Sequence, residues 1–244
     1  MYALSDQEVL DVWESGVDQH PVDRALTLLA TALPGTDRDR LVGMSVGERD
    51  GYLMDVREVN FGPSVAGVAE CPRCEELLEW RLDLADIRSF RGAPARDGPH
   101  RLAVEGYELS YRLPDSADLA EIHPGGGIAG GRSALLRRCV LEARKDGARV
   151  EPTSLPEAVI LTLAAEMEAR DPQAETLLDF ECPACELRWQ ALFDVLAFLW
   201  AEIQVRAGRL LSEVHALARA YGWSETDILA MSPTRRRFYL EAVT

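Results

Sequence analysis

The N-terminal part of the chain carries apolar residues at helical spacing, and helix-capping sequences precede two of these runs. Ser5-Asp6-Gln7-Glu8 has the form of a capping box, and Ser45-Val46-Gly47-Glu48 repeats that form. In such a box the serine hydroxyl accepts from the backbone amide three residues on, while the glutamate reaches back to the serine amide. The pattern predicts helices from residue 6 to Gly16, over 21–33, and from 46 towards 59.

Alternation of apolar and polar residues replaces helical spacing in the middle of the chain. A period of two is typical of a strand with one buried face. Alternating runs lead into Cys71 and into Cys182, and similar runs leave both regions. Residues 101–113 alternate as well, with Glu105-Gly106 in the position of a turn. The alternation therefore predicts three antiparallel hairpins.

Helical spacing returns in the second half of the chain. Ser116 stands where a helix cap is expected, and Ser154 starts a third capping box with Glu157. The glycine-rich stretch 123–131 predicts a flexible loop. The predicted helices start near Asp118 and then cover 133–144, 154–170 and 195–221, with two short helices after Gly222 that are capped by Ser224 and Ser232.

One short phrase occurs twice around the cysteines. Glu70-Cys71-Pro72-Arg73-Cys74-Glu75 is repeated nearly letter for letter as Glu181-Cys182-Pro183-Ala184-Cys185-Glu186. Two Cys-Pro-x-Cys steps supply four thiolates, which is the complete ligand set of a closed tetrahedral zinc site. The repeat therefore predicts two zinc knuckles at hairpin tips, which hold one structural Zn²⁺ between Cys71, Cys74, Cys182 and Cys185.

Other roles for the cysteines fit the pattern less well. Two unrelated pairs of reduced cysteines would not need the same residues on either side. A catalytic zinc needs an open coordination position, and four thiolates leave none for water. A thioredoxin-like redox pair would need one exposed pair with a reactive thiolate, and the duplication disfavours it. The fifth cysteine, Cys139, lies on a predicted amphipathic helix and is interpreted as a buried structural thiol.

The predicted elements define an α+β chain that is mainly helical. Its two Cys-Pro-x-Cys knuckles, on short antiparallel hairpins, would form one zinc-ribbon-like element within a helical body. We expect three segments: an N-terminal helical segment over 1–62, the zinc-ribbon-like element with an inserted hairpin and helices over 63–193, and a C-terminal helical region over 194–244.

The charge balance narrows the range of partners. The 244 residues include 26 basic and 41 acidic side chains, which gives a net charge of −15. Such an excess repels phosphate backbones, so we predict no nucleic-acid binding. No apolar run approaches the ~20 residues that cross a bilayer, and the first residues do not have the form of a secretory signal. We therefore predict a cytoplasmic protein without a membrane partner.

Two short sequences match enzyme motifs by their letters alone. Gly43-Met44-Ser45-Val46-Gly47 has the G-x-S-x-G form, but the residues before it are not strand-like and Ser45 is already interpreted as a helix cap. The stretch 125–130 has the G-x-G-x-x-G form without a strand before it. The histidines form no spaced metal set. We therefore predict no enzymatic activity and no small-molecule substrate.

The C-terminal half resembles a known family. The resemblance rests on the second Cys-Pro-x-Cys, the segment 193–200, and the run 211–240 with Tyr221-Gly222-Trp223-Ser224-Glu225 and Arg235-Arg236. With these residues the chain resembles the baseplate hub and hub-assembly proteins of contractile phage tails and related contractile injection systems. The resemblance extends to the first Cys-Pro-x-Cys.

The resemblance implies a non-enzymatic protein that assists assembly of the baseplate hub or is a minor component of it. Its partners would be other baseplate, hub or spike proteins, met in the cytoplasm or in the assembled particle. The resemblance implies that the four cysteines are zinc ligands. It also marks a partner-binding surface formed by Tyr221, Trp223, Arg235, Arg236 and Tyr239. The alternative is a zinc-ribbon adaptor in a transcription or other nucleoprotein complex, which the charge of −15 disfavours.

Overall fold

The computed structural model describes residues 2–89, 98–122, 125 and 127–243, and more than half of these residues are helical. The helices are α1 Asp6–Gly16, α2 Pro21–Ala32, α3 Arg38–Val42, α4 Val46–Phe61, α5 Leu84–Ile87, α6 Ser116–Ala120, α7 Gly127–Cys139, α8 Glu157–Arg170, α9 Val195–Tyr221, α10 Glu225–Leu229 and α11 Pro233–Val243. The strands are β1 Ser64–Glu70, β2 Leu77–Asp83, β3 His100–Val104, β4 Tyr107–Tyr111, β5 Val140–Lys145, β6 Ala148–Arg149, β7 Leu177–Glu181 and β8 Arg188–Leu192.

The strands form small antiparallel sheets, which confirms the predicted α+β class with a mainly helical chain. β1 pairs with β2, β7 pairs with β8, and a four-stranded sheet has the order β3-β4-β5-β6. The two isolated hairpins carry the cysteines at their tips. By their contacts, the residues divide into one unit of Met1–Pro34 with Val195–Thr244 and a second unit of Gly35–Asp194. The segment predicted as 1–62 thus contributes helices to both units.

The first unit is a helical bundle in which α1 and α2 pack against α9. Gly16 lets the Trp200 ring approach closely, since a Cβ on Gly16 would lie 2.5 Å from Cη2 of that ring. The Arg24 guanidinium covers the same ring at 4.2 Å from its centroid. Asp6 pairs with Arg206 at 2.8 Å and with Arg236 at 2.6 Å. The first turn of α1 is therefore tied to both α9 and α11.

Several predicted helix ends in this unit are confirmed. The Ser5 hydroxyl accepts from the Glu8 amide at 3.2 Å, while the Glu8 carboxylate accepts from the Ser5 amide at 2.8 Å. α1 ends at Gly16, α9 covers the predicted 195–221, and the Ser224 hydroxyl caps α10. These ends depend on local hydrogen bonds, so the sequence nearby is sufficient to predict them.

The core of the second unit lies between the four-stranded sheet and two helices. Its buried cluster takes side chains from β4, β5, α7, α8 and the residue Leu155. Tyr111 is fully buried, and its hydroxyl accepts from Nε of Arg170 at 2.9 Å. Cys139, at the end of α7, is buried as predicted. The sheet is therefore held by α7 and α8 through one continuous apolar surface.

Two predicted caps are wrong. Asp115, not Ser116, caps α6: its carboxylate accepts from the Asp118 amide at 3.0 Å, and Asp118 accepts from the Asp115 amide at the same distance. Ser154 lies in a short 3-10 turn, and α8 begins only after Pro156. Because a proline forces the residue before it into an extended conformation, the helix does not continue back to Ser154.

Two further predictions between 123 and 144 are wrong. The residues from Val140 to 144, predicted as helix, form β5 because they pair with β4 along one face of the core. Residues 127–131, predicted as loop, form the first turns of α7. The buried Leu136 and Cys139 anchor the later turns of that helix, and extending an existing helix costs much less than nucleating one. His123, Pro124 and Gly126, in the same predicted loop, lie outside the described residues.

The N-terminal end of α4 is capped by a carboxylate that is distant in the sequence. Asp171, which is 8% exposed, accepts from the Gly47 amide at 2.9 Å and from the Ser45 hydroxyl. A Cβ on Gly47 would overlap Oδ1 of Asp171 and lie 2.7 Å from the Ala174 nitrogen. A side chain at position 47 is therefore incompatible with this contact.

We expect Gly47→Ala to lower the free energy of unfolding by about 2 kcal/mol, since it overpacks the contact and disturbs the cap. Urea unfolding followed by circular dichroism measures the change. Gly51→Ala is the matched control in the same helix, because, apart from the chain neighbours and backbone of its own helix, no atom of the described residues lies within 4 Å of the position that its Cβ would take. The control should be neutral or stabilising by roughly 0.5–1 kcal/mol. Equal effects of the two variants would contradict the role of Asp171.

Candidate metal centre

Each cysteine knuckle is a tight turn at the tip of a hairpin. In the first, the Cys71 amide donates to the Glu76 carbonyl and the Glu75 amide donates to the Cys71 carbonyl, both at 2.9 Å. The second knuckle repeats both bonds at the same distance, through Cys182, Glu186 and Leu187. The repeated sequence thus folds into a repeated backbone geometry.

One residue in each knuckle takes the left-handed backbone conformation. Glu75 has φ of 62° and Glu186 has φ of 58°. This conformation costs a residue with a side chain roughly 1–2 kcal/mol, and glycine would occupy it with less strain. It turns the chain sharply after the second cysteine of each pair, and the outgoing strand begins two residues further on.

The hairpins bring all four sulfurs into one small volume. The Sγ atoms of Cys71, Cys74, Cys182 and Cys185 lie within 4.8 Å of one another. Cys71 and Cys185 are 3.6 Å apart, and Cys74 and Cys182 are 3.5 Å apart, although each pair is separated by more than a hundred positions in the chain. A tetrahedral ion with metal–sulfur bonds of ~2.3 Å needs sulfur–sulfur separations of ~3.8 Å. The arrangement is therefore a plausible metal site.

The site has a buried side and an open side. Cys71 and Cys182, the first cysteine of each knuckle, are fully buried. Cys74 is exposed and Cys185 is half-buried. Arg73 reaches from the first knuckle to the second, where its Nη1 donates to the Cys185 carbonyl at 3.4 Å. If a divalent ion occupied the site, this guanidinium would offset part of the remaining negative charge of the four sulfurs.

The electrostatics of the sulfurs favour a bound cation. Burial raises the pKa of the Cys71 thiol, but the backbone amides of Arg73 and Cys74 donate to its sulfur and lower the pKa to about 6. At Cys74 the Glu76 amide lowers the pKa, yet the partial loss of water around the sulfur and the neighbouring thiols outweigh it and raise the pKa to about 12. A metal ion at this place would supply positive charge that stabilises thiolate sulfur.

An aromatic cluster lies on the inner faces of the two hairpins. Trp80 on β2 meets Phe180 on β7 with ring centroids 6.3 Å apart, and Phe193 after β8 at 6.2 Å. Phe180 also stacks on Trp189, at 5.4 Å. Trp80 lies against Gly67 of the paired strand, where a Cβ would be 2.6 Å from Cζ2. These ring contacts hold the hairpins face to face and so position the cysteines.

The five residues predicted as a partner-binding surface have different environments. Tyr221 and Trp223 stack with centroids 4.4 Å apart, and Tyr239 meets Trp223 edge-on at 4.8 Å. Arg235 is exposed and lies over the Tyr239 ring. Arg236 is 3% exposed and pairs with Asp6 and Glu213 inside its own unit. Arg236 is therefore buried and not presented to a partner, which corrects its place in the predicted surface, while the partner-binding role of the other four residues stays a prediction.

The G-x-S-x-G match does not have the form of a nucleophile elbow. The residues before it form α3, and the Ser45 hydroxyl accepts from the Glu48 amide and donates to Asp171. Ser45 and His100 line one cleft of about 250 Å³. The serine hydroxyl is already engaged in capping α4, as predicted from the capping sequence.

Sequence reasoning missed a buried carboxylate in the second unit. The Asp118 side chain is fully buried and pairs with Arg112 through both oxygens, at 2.5 and 2.7 Å, and with Arg138 at 2.6 Å. Burial raises the Asp118 pKa, but the Arg112 guanidinium, the Asp115 amide and the Arg138 guanidinium together hold it well below its usual range. The spacing of Asp115 and Asp118 is a capping signal that could have pointed to this residue.

The fold and site define a chain in which four cysteines from two hairpins form one cluster, compatible with a metal site. Across residues 2–89, 98–122, 125 and 127–243, no helix combines the length and apolar character needed to cross a bilayer. Comparisons with protein-family models, curated proteins and solved structures give no match to this chain. The family resemblance of the C-terminal half therefore stays a prediction.

Proposed function

We propose that this chain is a non-enzymatic protein, stapled by one structural Zn²⁺, that assists assembly of the baseplate hub of a contractile tail or injection system or is a minor component of that hub. The observation that carries the zinc staple is the meeting of four sulfurs from two distant hairpins. The assembly role rests on the resemblance of the C-terminal half. An ion held there closes a loop of more than a hundred residues between Cys74 and Cys182. The site then serves the fold, not a reaction.

Zinc is the proposed ion because of the ligand set. Thiolates are soft ligands, and a tetrahedral set of four sulfurs is typical of zinc or of iron–sulfur sites. Zinc has no redox chemistry, and in a Cys₄ site it has no open position for water or substrate. Its binding contributes directly to folding, since the unfolded chain has no preformed site. A small β element without a large sheet core would gain most from it.

The assembly role is supported by the C-terminal resemblance and by the composition. The run 211–240 resembles the baseplate hub and hub-assembly proteins, and it lies on α9, α10 and α11 outside the metal site. The net charge of −15 disfavours the rival role in a nucleoprotein complex. A structural zinc ion and a helical surface outside the metal site are consistent with a protein that functions by binding other proteins.

Removal of the chain from the producing cell tests the assembly role. We expect electron microscopy of the deletion strain to show tubes and sheaths that lack complete baseplates, and the unmodified chain supplied in trans to restore them. Cys139→Ala should restore assembly, because Cys139 is not a proposed ligand. Complete particles in the deletion strain would contradict the proposal. A fall in the transcripts of the tail proteins would favour the adaptor role.

A further inference from the structure

The four sulfurs of the cysteine cluster differ in their access to solvent. Cys74 is exposed and Cys185 is half-buried, whereas Cys71 and Cys182 are fully buried. The Sγ atom of Cys74 lies 3.5 Å from that of Cys182, and the Sγ atom of Cys185 lies 3.6 Å from that of Cys71. Each contact therefore joins an accessible sulfur of one hairpin to a buried sulfur of the other hairpin.

The contact between Cys74 and Cys182 has the features of an oxidation-sensitive thiol pair. Cysteines that sense oxidants are accessible to solvent and lie next to a second cysteine, which converts the first oxidation product into a disulfide. Cys74 is the accessible sulfur, and Cys182 is its neighbour. A disulfide bond is ~2.05 Å long, so the two sulfurs have to approach by about 1.5 Å for the bond to form. The sulfurs are close enough to react directly.

The charges around the cluster favour a neutral oxidant. Four exposed glutamates flank the two Cys-Pro-x-Cys steps, namely Glu70, Glu75, Glu181 and Glu186. They outnumber the exposed arginines of the same hairpin tips, Arg73 and Arg188. This negative field repels anionic oxidants such as glutathione disulfide, whereas hydrogen peroxide is small and uncharged. A peroxide is therefore the class of oxidant that the site admits most readily.

We propose that hydrogen peroxide converts the zinc clasp, meaning the proposed ion with its four cysteines, into a disulfide between Cys74 and Cys182. The Cys74 thiolate attacks one peroxide oxygen, so that an S–O bond forms while the O–O bond breaks and hydroxide leaves. The Cys182 thiolate then attacks the Cys74 sulfur, so that the S–S bond forms while the S–O bond breaks and a second hydroxide leaves. Each hydroxide takes up a proton. The two sulfurs lose two electrons in total, which reduce one peroxide to two waters.

The disulfide would take over the role of the ion. The ion loses two of its four ligands and leaves, but Cys74 and Cys182 belong to different hairpins, so the loop of more than a hundred residues between them stays closed. A disulfide within one Cys-Pro-x-Cys step would instead leave the hairpins unlinked. Release of zinc rests on the proposed function, whereas the disulfide rests on the sulfur contacts alone.

Peptide mapping of the full, zinc-loaded chain after exposure to hydrogen peroxide tests the inference. Free thiols are blocked with N-ethylmaleimide, and the chain is digested with trypsin without reduction. Trypsin cleaves after Arg73 and so separates Cys71 from Cys74, while Cys182 and Cys185 remain on one peptide, 171–188. Fragmentation of that peptide between its two cysteines identifies the linked one. A chromogenic chelator follows the release of zinc in the same samples.

We expect peptide 74–81 to be linked to 171–188 through Cys182 as zinc is released, with one link for each ion. This product should exceed the link between Cys71 and Cys74 by at least about tenfold, because the 3.5 Å contact already places the two reacting sulfurs side by side. Dithiothreitol should remove the link and restore zinc binding. Cys139→Ala is the matched control and should give the same link, since its thiol lies outside the cluster.

The outcomes separate this inference from the zinc proposal. A first link between Cys71 and Cys74 or between Cys71 and Cys185, zinc release without any link, or loss of the folded circular dichroism signal before the link forms would overturn the inference. A chain that holds no zinc before oxidation but forms the link between Cys74 and Cys182 would support the disulfide and refute the zinc proposal alone.

Discussion

Replacement of Cys182 by serine is expected to release the proposed zinc ion and to lower the free energy of unfolding by at least about 3 kcal/mol. This loss is a part of the ~10–16 kcal/mol that zinc binding supplies in small zinc domains. Cys182 is fully buried and lies 3.5 Å from Cys74 of the other hairpin. Loss of this proposed ligand would leave the ion with three sulfurs and weaken the link between the hairpins. Denaturant unfolding followed by circular dichroism, with zinc determination on the same samples, measures both effects.

The matched control for this prediction is Cys139→Ala. Cys139 is also buried, but its sulfur contacts Asp118 at 3.6 Å and lies in α7, outside the cysteine cluster. The control should keep its zinc and lose only the packing of one sulfur atom and its weak hydrogen bond to Asp118. If Cys182→Ser binds zinc as tightly as the unmodified chain, Cys182 is not a ligand and the clasp is refuted.

Asp118→Asn is expected to lower the free energy of unfolding by about 3 kcal/mol, because it removes the charge that two arginines share in a buried network. The asparagine keeps the size of the side chain. It cannot accept from Arg112 and Arg138 with the strength of a carboxylate. This loss of about 3 kcal/mol is at the lower end of what breaking a buried ion pair costs, because the Arg112 and Arg138 side chains are 31% and 37% exposed. Urea unfolding at neutral pH measures it.

The same variant carries a pH signature. The pKa of Asp118 is lowered in the folded state, so the contribution of its charge is fully present above the ordinary carboxyl pKa of about 4. That contribution is lost as the pH falls below this value through the folded pKa. We therefore expect the stability difference between the unmodified chain and Asp118→Asn to narrow as the pH falls below about 4. A difference that stays constant would contradict the charged role of Asp118.

An exposed ion pair provides the control for the network. Glu142 pairs with Arg144 at 2.7 Å, but both side chains are about half exposed. Water screens such a pair, so Glu142→Gln should change the free energy of unfolding by less than about 0.5 kcal/mol. An effect of Glu142→Gln as large as that of Asp118→Asn would mean that burial does not distinguish the two pairs.

The sequence was most informative where the determining interaction is local. The Ser5 and Ser224 caps and the bounds of α9 follow from residues a few positions apart. The duplicated Cys-Pro-x-Cys phrase pointed to the four residues whose sulfurs the structure brings together. A distinctive ligand set with matching flanks identifies such a cluster without any knowledge of the packing.

Prediction failed where a distant partner decides the outcome. Val140 and its neighbours have an apolar pattern that suits a helix, but pairing with β4 makes them a strand. The Asp118 network joins α6 to the end of α7, and no sequence spacing relates Asp118 to Arg138. The grouping of α1 and α2 with α9 likewise depends on packing, such as that of Trp200 on Gly16. Periodicity shows that a face is apolar, not which surface covers it.

The most direct test of the central claim is the metal content of the purified full chain, measured by elemental analysis together with native mass spectrometry. The proposed function predicts one zinc ion per chain, bound until a strong chelator or acid removes it, with the melting temperature falling as the ion leaves. A chain that is folded, fully reduced and free of metal, with a melting temperature that chelation does not change, would contradict the zinc staple.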